Sequence, residues 1–271
     1  MHVIYAVLTL QCLFGYNLEL IAFIEGKRSD PRLLKGEGKP IIPAQNKNMQ
    51  TQETSHSGVK TPAKASTYHH GDLKSALLDA AEDALDQCPD RDPSLRALAA
   101  TLGVSPTAPQ AHFKNKHELM LDLAVRGSEC LTNRCRDALA LLPEGAGPLR
   151  RMACIGEAYL NFAHDKPGFF RIVFSSGLDP STYEPLREAS SNGFEVLRGV
   201  VRECLPDSDE LTINEKSLAA WGIIHGFASI GLGGHSHPDF RELCDNKTLS
   251  LVATRQMYPE LVAENPGWDH D

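Results

Sequence analysis

From Leu73 onward the apolar residues recur at helical spacing. Leu73, Leu77, Ala80, Ala81, Ala84, Leu85 and Cys88 fall on one face of a 3.6-residue period, and Asp79, Glu82, Asp83 and Asp86 fall mostly off it. That pattern predicts an amphipathic helix with one buried stripe. Asp72, directly after Gly71, is placed to cap its start, and Pro89 with the following Asp-Arg-Asp-Pro run stops it. Ser94 then caps a short second helix with Leu95, Leu98, Ala99 and Leu102 inward, and Gly103 closes it in the left-handed conformation. Val104 is a lone apolar residue in the turn, suited to pack between two crossing helices. Ser105 and Pro106 suit an N-cap and a first helical position. Pro106–Phe113 is expected as a third short helix on context alone, because Pro109 lacks an N–H and crowds the Ser105 carbonyl. Helix, glycine turn, capped short helix, then a long helix opening at "FKNKHEL" is the layout of a helix-turn-helix.

Helical patterning continues to the C-terminal end. The long helix runs through Leu142, and others are expected near Pro148–Asp165, Pro167–Ser175, Tyr183–Leu205, Asn214–Gly233 and Phe240–Leu261. The expected class is therefore all-α: a three-helix head at 67–122 and a helical bundle at 123–263. Residues 1–66 differ. Val3–Ile24 is apolar but lacks a basic flank and a cleavage site, and Glu19 interrupts it. Residues 25–66 are polar and without period. We expect 1–66 to be a non-homologous or disordered extension, with Met49 a candidate start and residues 1–48 an upstream extension. A membrane anchor is the alternative if those residues are translated.

Charge narrows the function. With 27 Lys and Arg against 35 Asp and Glu, the net charge is −8, so any nucleic-acid surface must be local. Between Pro93 and His117 there is no acid, while Arg96, Lys114 and Lys116 are cationic. Seven cysteines at irregular spacings argue for reduced thiols in a cytoplasm. Cys130 and Cys135 do not have zinc-knuckle spacing, and His235 and His237 have no Cys or Glu at ligand spacing, so no metal and no cofactor are expected. There is no Gly-x-Ser-x-Gly, no nucleophile–base pair and no phosphate loop, "GLGG" at Gly231–Gly234 ending a helix rather than opening one. No catalytic residue is assigned.

"YHHGDLKSALLDAAEDAL" and "SLRALAATLGVSPTAPQAHFKNKHEL", within Tyr68 to Ala124, resemble the DNA-binding domain of the TetR family of bacterial transcription regulators. "DKPGFFRIVFSS" and "AAWGIIHGFASIGL" resemble the subgroup named for a Trp-His-Gly signature, here Trp221, His225 and Gly226. The resemblance implies a cytoplasmic homodimer, most simply a repressor, that reads a palindromic duplex and is released by a small-molecule effector. It places Pro106, Thr107, Ala108, Gln110 and His112 on or near the major groove, with Ser105 also among the DNA-binding residues, Arg96 at phosphate or a base edge, and Lys114 and Lys116 at the cationic edge, Lys116 on phosphate. It implies an effector pocket drawn from Tyr159, Phe162, Phe170, Phe174, Trp221 and His225, and a dimer seam on the last two long helices. Aromatics at helical spacing are equally the mark of plain core. For His225 the alternatives are a pocket or seam residue and a core histidine satisfied by a backbone carbonyl. Gly226 would let a second helix approach closely.

The family's usual tyrosine is replaced by Gln110, followed by Ala111. Glutamine can pair with adenine N6 and N7. Losing one contact costs about 1–3 kcal/mol, which weakens a reader without abolishing it. Lys60 and Lys64 in the preceding arm can add backbone or minor-groove contacts, or be a solvated tail. The competing reading is a small-molecule-binding or interaction protein with a degenerate head.

Overall fold

In the computed structural model, which describes residues 73–232 and 245–269, every regular element is helical. The extension at 1–66, Met49, the capping residue Asp72, the lysines Lys60 and Lys64, and the pair His235 and His237 lie outside the described residues. In chain order the helices are α1 (Leu73–Gln87), α2 (Leu95–Thr101), α3 (Lys116–Ala140), α4 (Pro148–Asp165), α5 (Pro167–Ser175), α6 (Glu184–Cys204), α7 (Glu210–Leu232), α8 (Asn246–Met257) and α9 (Pro259–Glu264).

The head forms as its local chemistry dictates. The Ser94 Oγ accepts from the Ala97 N–H at 3.2 Å, filling an orphan donor at the start of α2. Gly103 closes the helix at φ +67°, a conformation that any side chain would strain. Asn115 caps α3 by accepting from the Glu118 N–H at 3.0 Å, while the Glu118 carboxylate reaches back to the Lys114 N–H at 2.8 Å. This reciprocal pair is a capping box displaced by one residue.

The expected third helix is the main correction. Only Ala108–Ala111 is helical, as a single 3-10 turn flanked by hydrogen-bonded turns. Pro106 and Pro109 each remove a donor, so an i→i−4 ladder never assembles. Ser105 does not cap a longer helix either; its hydroxyl lies 3.0 Å from the Thr107 hydroxyl and 3.4 Å from the Thr107 N–H. Phe113 and Pro109 nevertheless bury completely under the turn and hold its place.

Beyond the head, α3 to α8 pack around a core that is continuous with that of the head. Leu77 and Leu85 of α1, Phe113 just before α3, Leu119 and Leu123 of α3, Phe162 of α4 and Ile172 of α5 belong to one buried cluster. The N-terminal half of α3 is thus shared by head and body. Gly168 lets α5 approach α1 closely: a Cβ there would lie 2.9 Å from the Leu85 Cβ and 3.0 Å from the Leu85 carbonyl oxygen. Two long elements differ from expectation. α7 starts at Glu210 rather than Asn214, because Asp209 accepts from the Thr212 N–H at 2.8 Å. The expected Phe240–Leu261 helix begins outside the described residues and is broken at Tyr258, before Pro259.

Candidate functional site

Two regions bear on function. The first is the edge formed by α2, the 3-10 turn and the start of α3. Arg96, Ser105, Pro106, Thr107, Gln110, His112, Lys114 and Lys116 are all exposed there, and Ala108 is half-buried. The fold therefore keeps the sequence-assigned residues together on segments adjacent in the chain. Its electrostatics were only partly legible. Lys116 does not stand free: its Nζ donates to Asp92 at 2.8 Å, and the other oxygen of Asp92 lies 2.8 Å from Arg171 Nη2 on α5. Lys116 foremost, with Arg171, holds the Asp92 carboxyl below the usual carboxylate range. Lys114 makes a looser pair with Glu118 at 3.8 Å.

Asp92 links the head to the body. Arg171 also donates through Nε to the Pro89 carbonyl at 2.8 Å. Lys166 Nζ reaches Asp86 at 2.6 Å and Glu82 at 3.2 Å, and Arg126 Nη1 reaches Asp79 at 2.6 Å. Lys74 pairs with Asp122 at 2.7 Å, and the same carboxylate accepts from the Tyr183 hydroxyl at 2.6 Å. That bond chiefly, with burial, pushes the Tyr183 phenol up to about 12. The acids of α1, off its buried stripe, thus serve to seat the head on the body.

The second region is a cavity of about 120 Å³ among α3, α4, α5, α6, α7 and α8. Tyr159, Phe174 and Trp221 line it, with Leu131, Ile155, Phe194 and Ile224. No charged side chain is among its lining residues. Three of the six residues assigned to a pocket are therefore at its wall. The other three are not. Phe162 is fully buried beneath the Arg134 guanidinium, 5.9 Å from its ring, and Phe170 and His225 stand behind the wall. The His225 ring stacks on Phe170 at 5.3 Å and contacts Phe174 and Trp221 at 5.1 and 5.2 Å.

His225 is satisfied by a side chain, not by a carbonyl: its Nδ1 lies 2.8 Å from the Tyr159 hydroxyl. The Trp221 indole also hydrogen-bonds Tyr159. A phenol that donates to Nδ1 leaves the imidazole proton on Nε2. Burial holds the His225 pKa down at about 4, so the ring is neutral at pH 7. Tyr159 and Trp221 are the part of this relay that sequence spacing could not connect, since Tyr159 is 66 residues from His225. The space above Gly226 is open. A Cβ there would meet nothing within 4 Å, so no helix of this chain approaches it among the described residues.

The five described cysteines are free, and burial pushes the Cys135 and Cys204 thiols up to about 12, away from thiolate chemistry. Among the described residues no group of three His, Cys, Asp or Glu is arranged to hold a metal ion, and no helix is long and apolar enough to cross a membrane.

Fold and site together define a helical head seated on an all-helical body with a partly open cavity free of charged side chains. Residues 152–247 match the family described as tetracyclin repressor-like, C-terminal domain. The chain is 26% identical over 136 residues to the nucleoid occlusion factor SlmA of Marinobacter nauticus, covering 50% of this chain and 68% of that one. Its fold is similar to that of a protein of unknown function from Rhodococcus sp. RHA1, with a TM-score of 0.59 and 25% identity over 71% of this chain and 97% of the other. A TetR family transcriptional regulator, PfmR from Thermus thermophilus, gives a TM-score of 0.49 and 18% identity over 68% of this chain and 97% of the other.

Proposed function

We propose that the protein is a ligand-responsive transcription repressor of the Trp-His-Gly subgroup, which reads a palindromic operator as a homodimer and is released by a small molecule. The observation that carries this reading is the joint exposure of Arg96, Thr107, Gln110, His112 and Lys114 at the end of the head, with no acid between Pro93 and His117. Counterion release needs only such a local cationic edge, so the net charge of −8 is no obstacle. Gln110 takes the base-reading position and Arg96 a phosphate.

The seam is best supplied by α7. Leu218 and Ile230 are exposed on its outer face, and Gly222 and Gly226 between them have open space above them. A second copy crossing there would bury that stripe, and two-fold symmetry would then present two heads to two half-sites. α8 offers less, because its Ser250, Ala253, Thr254 and Met257 are turned into its own bundle.

Switching runs through α5. Val173 and Phe174 line the cavity, Gly168 presses on Leu85 of α1, and Arg171 holds Asp92 beside Lys116. An effector that binds one placement of α5 better than the other shifts the heads by that differential affinity. The test is selection from a random duplex pool with the full chain, beside an Arg96→Ala, Lys116→Ala variant. A palindrome enriched by the wild type and lost in the variant is expected. A folded protein that enriches nothing favours the degenerate-head reading, for which Gln110, Ala111 and Pro109 are the motivating residues.

A further inference from the structure

The cavity wall carries two hydroxyls that nothing satisfies. Ser128 on α3 and Ser190 on α6 both line it, and the Oγ of each is buried without a hydrogen-bond partner. Ser128 is 5% exposed. The other polar groups at the wall are already engaged. Thr132 donates to the Ser128 carbonyl at 2.8 Å, Thr254 to the Ser250 carbonyl at 2.9 Å, Ser250 to the Lys247 carbonyl at 2.7 Å, and Tyr159 bonds to His225 at 2.8 Å.

The two serines also stand at nearly the same level on neighbouring helices. Tyr183, just before α6, bonds to Asp122 of α3, and a Cβ on Gly193 would lie 2.9 Å from Thr132 Oγ1. These two contacts are ten residues apart on both segments, so α3 and α6 run parallel and in step. In that register Ser128 falls opposite Ala189, the neighbour of Ser190, and both serines border the same cavity. A buried hydroxyl left unpaired is costly, and two converging on one apolar space mark where a polar group of an occupant is wanted.

We propose that this cavity takes a small uncharged, mainly apolar molecule bearing one hydroxyl or carbonyl group, which hydrogen-bonds to Ser128 and Ser190. The proposal rests on the effector-pocket reading above and names the ligand class of that site. The wall has no cation or carboxylate to match an ionised ligand, and burying a lone charge there is strongly unfavourable. The volume sets the size. A dry cavity of ~150 Å³ holds benzene. The 120 Å³ here suits one ring or a short chain.

The test is titration calorimetry on the full chain without DNA, using three probes of one shape: 4-methylphenol, toluene and 4-methylbenzoate. The expected order is 4-methylphenol bound about threefold to tenfold more tightly than toluene, the worth of a neutral hydrogen bond. 4-Methylbenzoate is expected not to bind at the same concentrations. A Ser128→Ala, Ser190→Ala variant should bind 4-methylphenol only as well as toluene, with toluene unchanged. Removing unpaired hydroxyls relieves desolvation, so this variant is expected to fold at least as stably. Equal or tighter binding of 4-methylbenzoate, an unchanged phenol-to-toluene ratio in the variant, or no binding by any probe would overturn the proposal. An unchanged ratio would mean that buried water alone meets the two serines. The repressor reading fails separately: if the expected order is found but 4-methylphenol leaves duplex binding unaltered, the site stands and the switch does not. If a palindrome is bound and no probe enters, the reader stands and the ligand class falls.

Discussion

Acidification should unfold this protein through His225. The half-buried ring packs against Phe170, Phe174 and Trp221, and its desolvation lowers the pKa from 6.5 to about 4. Between those values the unfolded chain holds a proton on this imidazole and the folded chain does not, so stability falls as pH falls. The contribution is fully present above the unfolded pKa near 6.5 and is gone below about 4. Going from pH 7 to pH 5 removes about 2 kcal/mol, since each pH unit crossed inside that window is worth about 1.36 kcal/mol. The other described histidines, His112, His117 and His164, are exposed. The assay is urea unfolding at pH 7 and pH 5 on the wild type and on His225→Gln, which retains an acceptor for the Tyr159 hydroxyl but does not titrate. Differences in overall stability cancel, because the quantity compared is the change with pH. The wild type should lose about 2 kcal/mol more than the variant. Equal losses would refute the assignment of a neutral, half-buried imidazole.

Three other predictions concern the head, the junction and the seam. Asp92→Asn frees Lys116 for phosphate, so the slope of log affinity against log salt on a duplex should steepen by about 0.9 per half-site, an unchanged slope counting against Lys116 as a phosphate contact. Gly168→Ala forces a methyl group against the Leu85 backbone and should cost about 1–3 kcal/mol, measured by urea unfolding; a more stable variant would show that α5 does not press on α1. Ile230→Glu, on the exposed face of α7, should convert a dimer into a folded monomer in sedimentation velocity, and an unaltered dimer would place the seam elsewhere.

Features governed by a few neighbouring residues were legible in the sequence. Ser94 caps α2, Gly103 ends it with positive φ, and the proline starts of α4 and α5 fall where the chain says, because each depends only on local donors and allowed dihedrals. The 3-10 turn was harder. The helix-turn-helix context argued for a longer third helix, and the donor loss at Pro106 and Pro109 prevailed over it. The DNA-facing residues could be named from the chain, but the Lys116–Asp92–Arg171 bridge could not, since Arg171 lies on a helix of the body. The aromatic residues were recognisable as a group, yet not their layers: Tyr159, Phe174 and Trp221 at the cavity, Phe170 and His225 behind it, Phe162 in the core. Ser128 and Ser190 gave no signal at all. Serine inside a helix is ordinary, and only the packing of α3 against α6 leaves these two hydroxyls unpaired over an open space.

Sequence reading by the head is tested most directly by one ratio. The affinity of the full chain for its selected palindrome is divided by its affinity for a shuffled duplex at one fixed salt concentration, for wild type and Gln110→Ala. Reading through Gln110 predicts a ratio well above one in the wild type that falls by about 1–3 kcal/mol in the variant. A wild-type ratio near one, with binding to both duplexes equally weakened by salt, would contradict it and leave a head that touches DNA without reading it.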